Sequence, residues 1–217
     1  MDQTGLMHTD DKLIIGITGG AGAGKSTIVS FVCSHFDADF MHCDIIAHEL
    51  MEPGKANYNA LLKEYGDGIL TGDYGSDIDR RKLTEAVGKS ISGYKRLNEI
   101  THPGVINEVN KRIAASHKKI ILVEAALLIE AGMTKMCDDV WYVYADINER
   151  RERVKKNRGW DEKKTDATIK NQLSHDEFLK NTTYMIENHD FSDEADIKAC
   201  ERVRYLLELK GIKETYK

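Results

Sequence analysis

The sequence predicts an α/β fold in which helices flank a parallel β-sheet. Residues 13–17, 119–124 and 139–144 are apolar segments of strand length with many branched or aromatic side chains. Continuous apolar runs of this length are typical of strands that are covered on both faces. Helix-length segments separate these runs along the chain, which favours parallel strands joined by crossover helices.

A glycine-rich turn after the first strand predicts a phosphate-binding loop and, with it, a P-loop NTPase fold. Gly19, Gly24, Lys25 and Ser26 match the pattern G-x-x-x-x-G-K-[ST], and a helix-like segment follows at 25–36. Glycines let successive backbone N–H groups turn inward and bind an anion. A purely structural glycine turn is the alternative, and the flanking strand and helix disfavour it. The residues predicted to contact the nucleotide phosphates are Gly20, Ala21, Gly22, Ala23, Gly24, Lys25, Ser26 and Thr27.

Lys25 and Ser26 have separate predicted roles in this loop. A helix that opens at Lys25 directs its partial positive end at the ligand, and the lysine ammonium reaches the β- and γ-phosphates. Ser26 is predicted to supply a hydroxyl ligand to Mg²⁺. The rival dinucleotide pattern G-x-G-x-x-G fails here, because its last position falls on Lys25 when counted from Gly20.

The overall composition excludes several other classes of protein. The chain has 217 residues, 41% of them hydrophobic, and a formal net charge of −5, which argues against a general nucleic-acid binder. No apolar run approaches 18 residues, and residues 1–11 lack the apolar region of a signal peptide, so neither a membrane span nor secretion is predicted. Cysteines without a C-x-x-C pair favour buried thiols in a reducing, cytoplasmic compartment. They are Cys33, Cys43, Cys137 and Cys200.

Between a short predicted strand at 38–44 and the strand at 119–124, the sequence predicts only helices and loops. The pattern indicates a helix over 55–65, a loop over 66–79, and a further helix for which Asp79 is the N-cap. A new helix is expected to begin at Pro103, because proline fits the first helical position.

The C-terminal part predicts a densely basic helix after the strand at 139–144. Asp146 and Glu149 predict a capping box at its start, and Gly159 its end. Helices over 161–173 and 192–210 and a short strand over 184–187 complete the prediction.

Three features favour a small-molecule kinase over a switch GTPase. Asp44 ends a predicted strand, where a carboxylate can accept a proton from an attacking hydroxyl or help to hold Mg²⁺, with a helix N-cap as the alternative. The basic helix is typical of a lid whose arginines neutralise a transferring phosphoryl group, with a solvated helix face as the alternative. The sequence has no guanine-binding N-K-x-D segment.

Two further polar residues each have two possible roles. Glu124 ends an apolar strand, where it either joins the metal or substrate site or is simply a strand end. His102 either binds a substrate phosphate or merely begins a helix.

A series of motifs extends over nearly the whole chain: TGGAGAGKST (18–27), CDIIA (43–47), EPG (52–54), DRRKL (79–83), EITHPGV (99–105), ALLIE (126–130), Gln172 and MIEN (185–188). In sequence and in order these motifs resemble those of the dephospho-CoA kinase family. The resemblance implies a P-loop kinase core over 1–44 and 119–217, a lid at about 147–175 and a helical acceptor-binding insertion over 45–118. The implied reaction transfers the γ-phosphate of ATP to the ribose 3′-hydroxyl of dephospho-CoA.

By that resemblance, Asp44 matches the family's general base, and Arg80 and His102 match positions near the acceptor. Asn188 matches a position near the adenine site. ATP and Mg²⁺ are the implied cofactors, and the protein is expected to be a monomer or small homo-oligomer that binds neither nucleic acid nor membrane.

The chain departs from the family pattern in the lid, where Asn157-Arg158-Gly159 stands in place of Arg-Asp-Gly. His42-Cys43-Asp44 replaces Asp-Ala-Asp, and Ala126 and Glu124 replace Pro and Asp. One interpretation is that Arg158 does the work of the missing lid arginine, with Arg150, Arg151 and Arg153 as competitors. The alternatives are a kinase for another nucleotide-like acceptor and a nucleotide-binding regulatory protein with little turnover.

Overall fold

The computed structural model describes residues 11–90, 92–189 and 192–213. The segment 1–11, in which the sequence predicts no signal peptide, lies almost entirely outside these ranges. The strands are β1 (Leu13–Thr18), β2 (Ala38–His42), β3 (Ile120–Glu124), β4 (Asp139–Tyr144) and β5 (Tyr184–Glu187). The helices are α1 (Lys25–His35), α2 (Cys43–Glu49), α3 (Ala56–Tyr65), α4 (Arg80–Gly88), α5 (Gly93–Ala115), α6 (Ile147–Arg158), α7 (Glu162–Lys170), α8 (His175–Asn181) and α9 (Glu194–Lys210). None of the helices in this described part is long and apolar enough to cross a bilayer.

The strands form one five-stranded sheet in the order β2-β3-β1-β4-β5. The strand β1 pairs in parallel with β3 and β4, and β4 pairs in parallel with β5. Every residue of β1 and β3 is buried, as expected for strands covered on both faces. The predicted α/β fold with a parallel sheet is therefore confirmed, and the carboxyl end of its central strand carries the glycine-rich loop.

The chain divides into two compact units, one of Met1–Met41 with Ser116–Lys217 and one of His42–Ala115. The first contains the sheet, on which α1 and α9 bury a shared apolar core. This core includes Leu13, Ile15, Ile17, Ile28, Val32, Phe36, Trp141, Val143, Ala199, Val203 and Leu207, each at most 2% exposed. Burial of this many apolar side chains, at about 25 cal/mol per Å² of apolar surface, is the main stabilising contribution. Of the four cysteines, Cys43 and Cys200 are buried and Cys33 and Cys137 half-buried.

The second unit is helical, as predicted, and has a core of its own. Leu61, Ile69, Leu83 and Val87 are buried together between α3, α4 and the loop that joins them. That loop also contains a single antiparallel bridge between Leu70 and Ile78. The role of this unit as an acceptor-binding insertion, and that of α6 and α7 as a lid, stay predictions.

Helix boundaries follow the sequence where a side chain caps the helix. Asp79 accepts hydrogen bonds from the backbone N–H groups of Arg81 and Lys82 and so begins α4. Asp146 and Glu149 form the predicted capping box at the start of α6, and Gly159 ends that helix in the left-handed conformation, with φ 62°.

The structure differs from the sequence prediction at three places. Helix α5 runs unbroken through Pro103, because a helical proline loses one backbone hydrogen bond while buried Thr101, Val105 and Val109 anchor the helix on both sides. Strand β2 ends at His42, so that Asp44 neither ends a strand nor caps a helix but lies in the first turn of α2. Helix α8 is absent from the prediction, although Ser174 and Glu177 form a capping box at its start.

Candidate functional site

The phosphate loop, residues 19–27, has the backbone of an anion nest. Gly22 and Gly24 have φ angles of 79° and 92°, in the left-handed region that favours glycine. Gly24 is the N-cap residue of α1, so the free N–H groups of that helix face the loop. A Cβ atom on Gly24 would lie 2.0 Å from Nδ2 of Asn188. Both the turn and this close approach therefore require glycine.

Lys25 is held inside the loop. Its side chain is 8% exposed, and Nζ donates to the carbonyl oxygens of Gly19 (3.0 Å) and Gly20 (3.3 Å). A buried ammonium next to inward-facing backbone N–H groups concentrates positive charge at one point. This charge suits a phosphate chain, as the sequence predicts.

Ser26 and Glu124 come together although 98 positions separate them. The exposed hydroxyl of Ser26 donates to Oε2 of Glu124 at 3.4 Å, and Glu124 is 5% exposed. Strand pairing accounts for the contact, because Glu124 ends β3 opposite Ile17, just before the loop. A hydroxyl and a carboxylate fit Mg²⁺, which keeps several waters and takes further ligands from phosphate oxygens. In the described residues no group of three or more His, Cys, Asp or Glu side chains suits a metal ion. The assignment of Ser26 as a ligand to Mg²⁺ stays a prediction.

Two arginines of α6 lie against the phosphate loop. Nε of Arg150 donates to the carbonyl of Ala21 at 2.9 Å, and Nη1 of Arg153 donates to those of Gly22 (3.4 Å) and Ala23 (3.3 Å). Burial lowers the pKa of the Arg150 guanidinium. The loop-facing arginines of this helix are thus Arg150 and Arg153, four and seven positions after the N-cap residue.

Arg158 lies elsewhere. It is exposed at the end of α6, with its guanidinium 5.3 Å from the centre of the Trp160 ring. Arg151 is also exposed and pairs with Asp166 at 2.7 Å. The assignment of Arg158 to catalysis stays a prediction, and it requires a movement that brings this side chain to the nucleotide.

Gln172 and Asn188 also contact the loop. Oε1 of Gln172 accepts hydrogen bonds from the backbone N–H of Ala21 (3.2 Å) and from Nη2 of Arg150 (2.5 Å). Asn188 follows β5 and donates from Nδ2 to the carbonyl of Ala23 at 2.7 Å. Both residues belong to the motifs that resemble the family, but the contacts of Gln172 are visible only in the structure. The role of Asn188 near adenine stays a prediction.

The helical unit brings three candidate residues close to one another. His48 and Arg80 line a cavity of about 160 Å³, together with Met51, Glu52, Asp77 and Ile78. Burial and the neighbouring charge of Arg80 lower the pKa of His48, while the charge of Asp44, one helical turn away on α2, opposes that shift. Sequence reasoning missed His48, although its spacing of four residues from Asp44 is the signal of a shared helix face.

His102 does not begin a helix but lies in the middle of α5, where burial lowers its pKa. It is half-buried and is not among the residues that line the cavity with His48 and Arg80. Its assignment to acceptor binding stays a prediction.

Comparison with known proteins agrees with the motifs. The sequence profile of the dephospho-CoA kinase family matches residues 13–194. The dephospho-CoA kinase of Lactobacillus johnsonii is 33% identical over 177 residues, which are 80% of this chain and 88% of that protein. The dephospho-CoA kinase of Fusobacterium nucleatum is 35% identical over 185 residues, 82% of this chain and 90% of that protein.

Among solved structures, TT1252 from Thermus thermophilus superposes with a TM-score of 0.76 at 25% identity. The superposition covers 91% of this chain and 98% of that one. The profile match covers most of the chain, and both curated relatives align with it over at least four-fifths of its length. The chain belongs to the dephospho-CoA kinase family.

Proposed function

We propose that this protein transfers the γ-phosphate of ATP to the ribose 3′-hydroxyl of dephospho-CoA and so produces CoA and ADP. The observation that carries the proposal is the intact phosphate loop, with Lys25 buried in it, in a chain whose residues 13–194 match the dephospho-CoA kinase family. The loop supports ATP as the phosphate donor, and membership of the family supports dephospho-CoA as the acceptor.

The loop's own groups bind the phosphate chain of ATP. Backbone N–H groups around Gly22 and Gly24 bind phosphate oxygens, and the ammonium of Lys25 stabilises negative charge on the β- and γ-phosphates. Ser26 and Glu124 would hold Mg²⁺. When bound, this ion neutralises phosphate charge and favours in-line transfer.

Asp44 is the proposed general base. Its exposed carboxylate in the first turn of α2 can accept the proton of the attacking hydroxyl. Arg80 and His102 are proposed to bind the acceptor, and Arg80 lines a cavity together with His48. Asn188 is proposed to lie beside adenine. The cavity supports the assignment of Arg80 because a guanidinium binds phosphate oxygens through two parallel N–H donors.

The charge that develops on the transferring phosphoryl group needs an arginine. The contact of Arg150 with Ala21 supports this residue as the stabilising arginine, because its guanidinium already lies at the loop. Arg158 remains a second candidate through closure of the lid, with Gly159 beside it as the point of backbone freedom. We further propose a cytoplasmic location and a monomer or small homo-oligomer.

The test is a coupled assay of ADP release with the full-length chain, ATP and Mg²⁺, with mass spectrometry of the acceptor product. We expect dephospho-CoA to gain one phosphoryl group and to be preferred over adenosine and over other nucleosides and nucleotides. Preference for another acceptor would identify a divergent kinase. Tight ATP binding without transfer to any acceptor would instead indicate a regulatory protein, and either result would overturn the proposal.

A further inference from the structure

Gln172 lies just after α7 and closes a ring of hydrogen bonds around one residue of the phosphate loop, Ala21. Its Oε1 accepts from the backbone N–H of Ala21 at 3.2 Å and from Nη2 of Arg150 at 2.5 Å. Nε of Arg150 donates to the carbonyl of the same Ala21 at 2.9 Å. Both polar groups of the Ala21 residue are therefore bound by this pair of side chains.

The chemistry of the ring restricts the residue type at position 172. A backbone N–H and a guanidinium are both obligate donors, so the side chain between them must present an acceptor. The amide carbonyl of glutamine satisfies both without a charge, so Arg150 keeps its full positive charge beside the loop. A carboxylate here would form the same two bonds but would neutralise that charge.

Steric contact shows how closely Arg150 follows the loop. A Cβ atom on Gly20 would lie 2.2 Å from Cζ of Arg150, so the guanidinium lies directly on that glycine. Without an acceptor at residue 172, the guanidinium of Arg150 would lose its hydrogen bond at Nη2 and keep the one from Nε to the Ala21 carbonyl.

We propose that Gln172 is a positioning residue that holds Arg150 against the phosphate loop in an orientation and a charge state suited to a nucleoside triphosphate. The inference rests on the proposed function in taking ATP as the ligand, but it does not depend on the identity of the acceptor. A purely structural role, in which Gln172 only fastens the end of α7, is the competing explanation.

The first experiment changes charge while keeping shape. In Gln172→Glu, the carboxylate pairs with Arg150 and repels the triphosphate, so we expect the Kd for ATP in calorimetric titration to rise by roughly tenfold or more. The melting temperature should not fall, because the hydrogen bonds persist. The matched control is Asn171→Asp, which adds the same charge at the adjacent exposed residue and should change the Kd by less than about threefold.

The second experiment asks whether Gln172 acts through Arg150. Gln172→Leu should lower kcat by roughly tenfold in the parental protein. On an Arg150→Ala background the same change should alter kcat by less than about twofold, because the group that it positions is gone. A purely structural role predicts instead that the two effects multiply and that the melting temperature falls.

Parental ATP affinity in Gln172→Glu, or full multiplication of the two kinetic effects, would overturn the inference. The ATP titration needs no acceptor, so its outcome stands even if dephospho-CoA is not the substrate. Conversely, phosphorylation of dephospho-CoA by a Gln172→Glu variant with parental Kd for ATP would leave the proposed function standing and remove only the role of Gln172.

Discussion

The phosphate loop and the helical unit present their polar groups in opposite ways. At the loop, Lys25 and Glu124 are at most 8% exposed, and the loop carbonyls of residues 19–23 accept hydrogen bonds from side chains. In the helical unit, Asp44, His48 and Arg80 are exposed. The phosphate loop is thus preorganised by its backbone and by burial, whereas the helical unit presents individual exposed side chains.

This contrast predicts how each of the two regions responds to substitution. Substitution of a hydrogen-bonded side chain at the phosphate loop should change ATP binding and turnover together. Exposed side chains of the helical unit should affect one kinetic constant each, with little change in stability, because few buried contacts are lost.

The largest effect is expected at Asp44. Asp44→Asn keeps the shape of the side chain but cannot accept a proton, so kcat should fall by ~10²–10⁴. The Kd for ATP and the melting temperature should stay close to parental values, since the side chain is exposed. Parental kcat in this variant would show that Asp44 is only a charge in the first turn of α2.

Lys25→Ala tests the phosphate loop, where the polar side chain is buried. Loss of the ammonium should lower turnover by ~10²–10³, the scale observed for one electrostatic donor, and should also weaken ATP binding. The loss of the two bonds to Gly19 and Gly20 adds a change in stability that Asp44→Asn lacks. Unchanged ATP binding, measured by titration, would mean that the loop holds no phosphate chain.

The arginines of α6 test which contact matters for charge stabilisation. We expect Arg150→Ala to lower kcat by up to ~10³, the low end for a charge-stabilising arginine, and more than Arg158→Ala does. The matched control is Arg151→Ala, which removes the same charge from an exposed ion pair and should change kcat by less than about threefold. If Arg158→Ala loses turnover while Arg150→Ala does not, lid closure brings Arg158 to the nucleotide after all.

The phosphate loop was predictable from sequence because its chemistry depends on the backbone conformation of consecutive residues. Gly22, Gly24, Lys25 and Ser26 are neighbours in the chain, and their pattern specifies the turn and the helix start. The approach of Glu124 to Ser26 was partly predictable as well, because it follows from the parallel pairing of two recognisable strands.

The side chains that cover the loop were not predictable in this way. Arg150 and Arg158 are equally basic in the sequence, and only the packing of α6 places one on the loop and the other over Trp160. Gln172 contacts Ala21 across 151 positions, and no local pattern encodes such a contact. Pro103 misled the prediction because tertiary packing outweighs one lost backbone hydrogen bond.

A smaller and more selective effect is expected at Arg80. Arg80→Ala should raise the KM for dephospho-CoA by roughly 10- to 100-fold, because a hydrogen bond to a charged group contributes about 1.5–3 kcal/mol. The KM for ATP should not change. Arg81→Ala is the matched control, since Arg81 is next along α4 and equally exposed but does not line the cavity with His48. Equal changes in the two variants would reduce Arg80 to a general surface charge.

The smallest effect concerns the scaffold of the helical unit and should leave kcat per folded molecule unchanged. A Cβ atom on Gly104, in α5, would lie 2.1 Å from Oδ1 of Asn57, a residue that is 1% exposed. Gly104→Ala should therefore cost about 1–3 kcal/mol from overpacking, against a gain of at most about 1 kcal/mol in helix propensity. The melting temperature should fall by about 2–4 °C for each kcal/mol of net loss.

Gly88→Ala is the matched control for that prediction. Gly88 also lies in a helix, but nothing is within 4 Å of a Cβ atom placed there, so only the gain in propensity remains and the melting temperature should stay level or rise. Opposite shifts in the two variants, with parental kcat in both, would show that the helical unit owes its stability to close helix packing and its chemistry to exposed side chains. A fall in kcat with Gly104→Ala, at equal folded fraction, would instead show that the packing around Gly104 also positions its near neighbour His102.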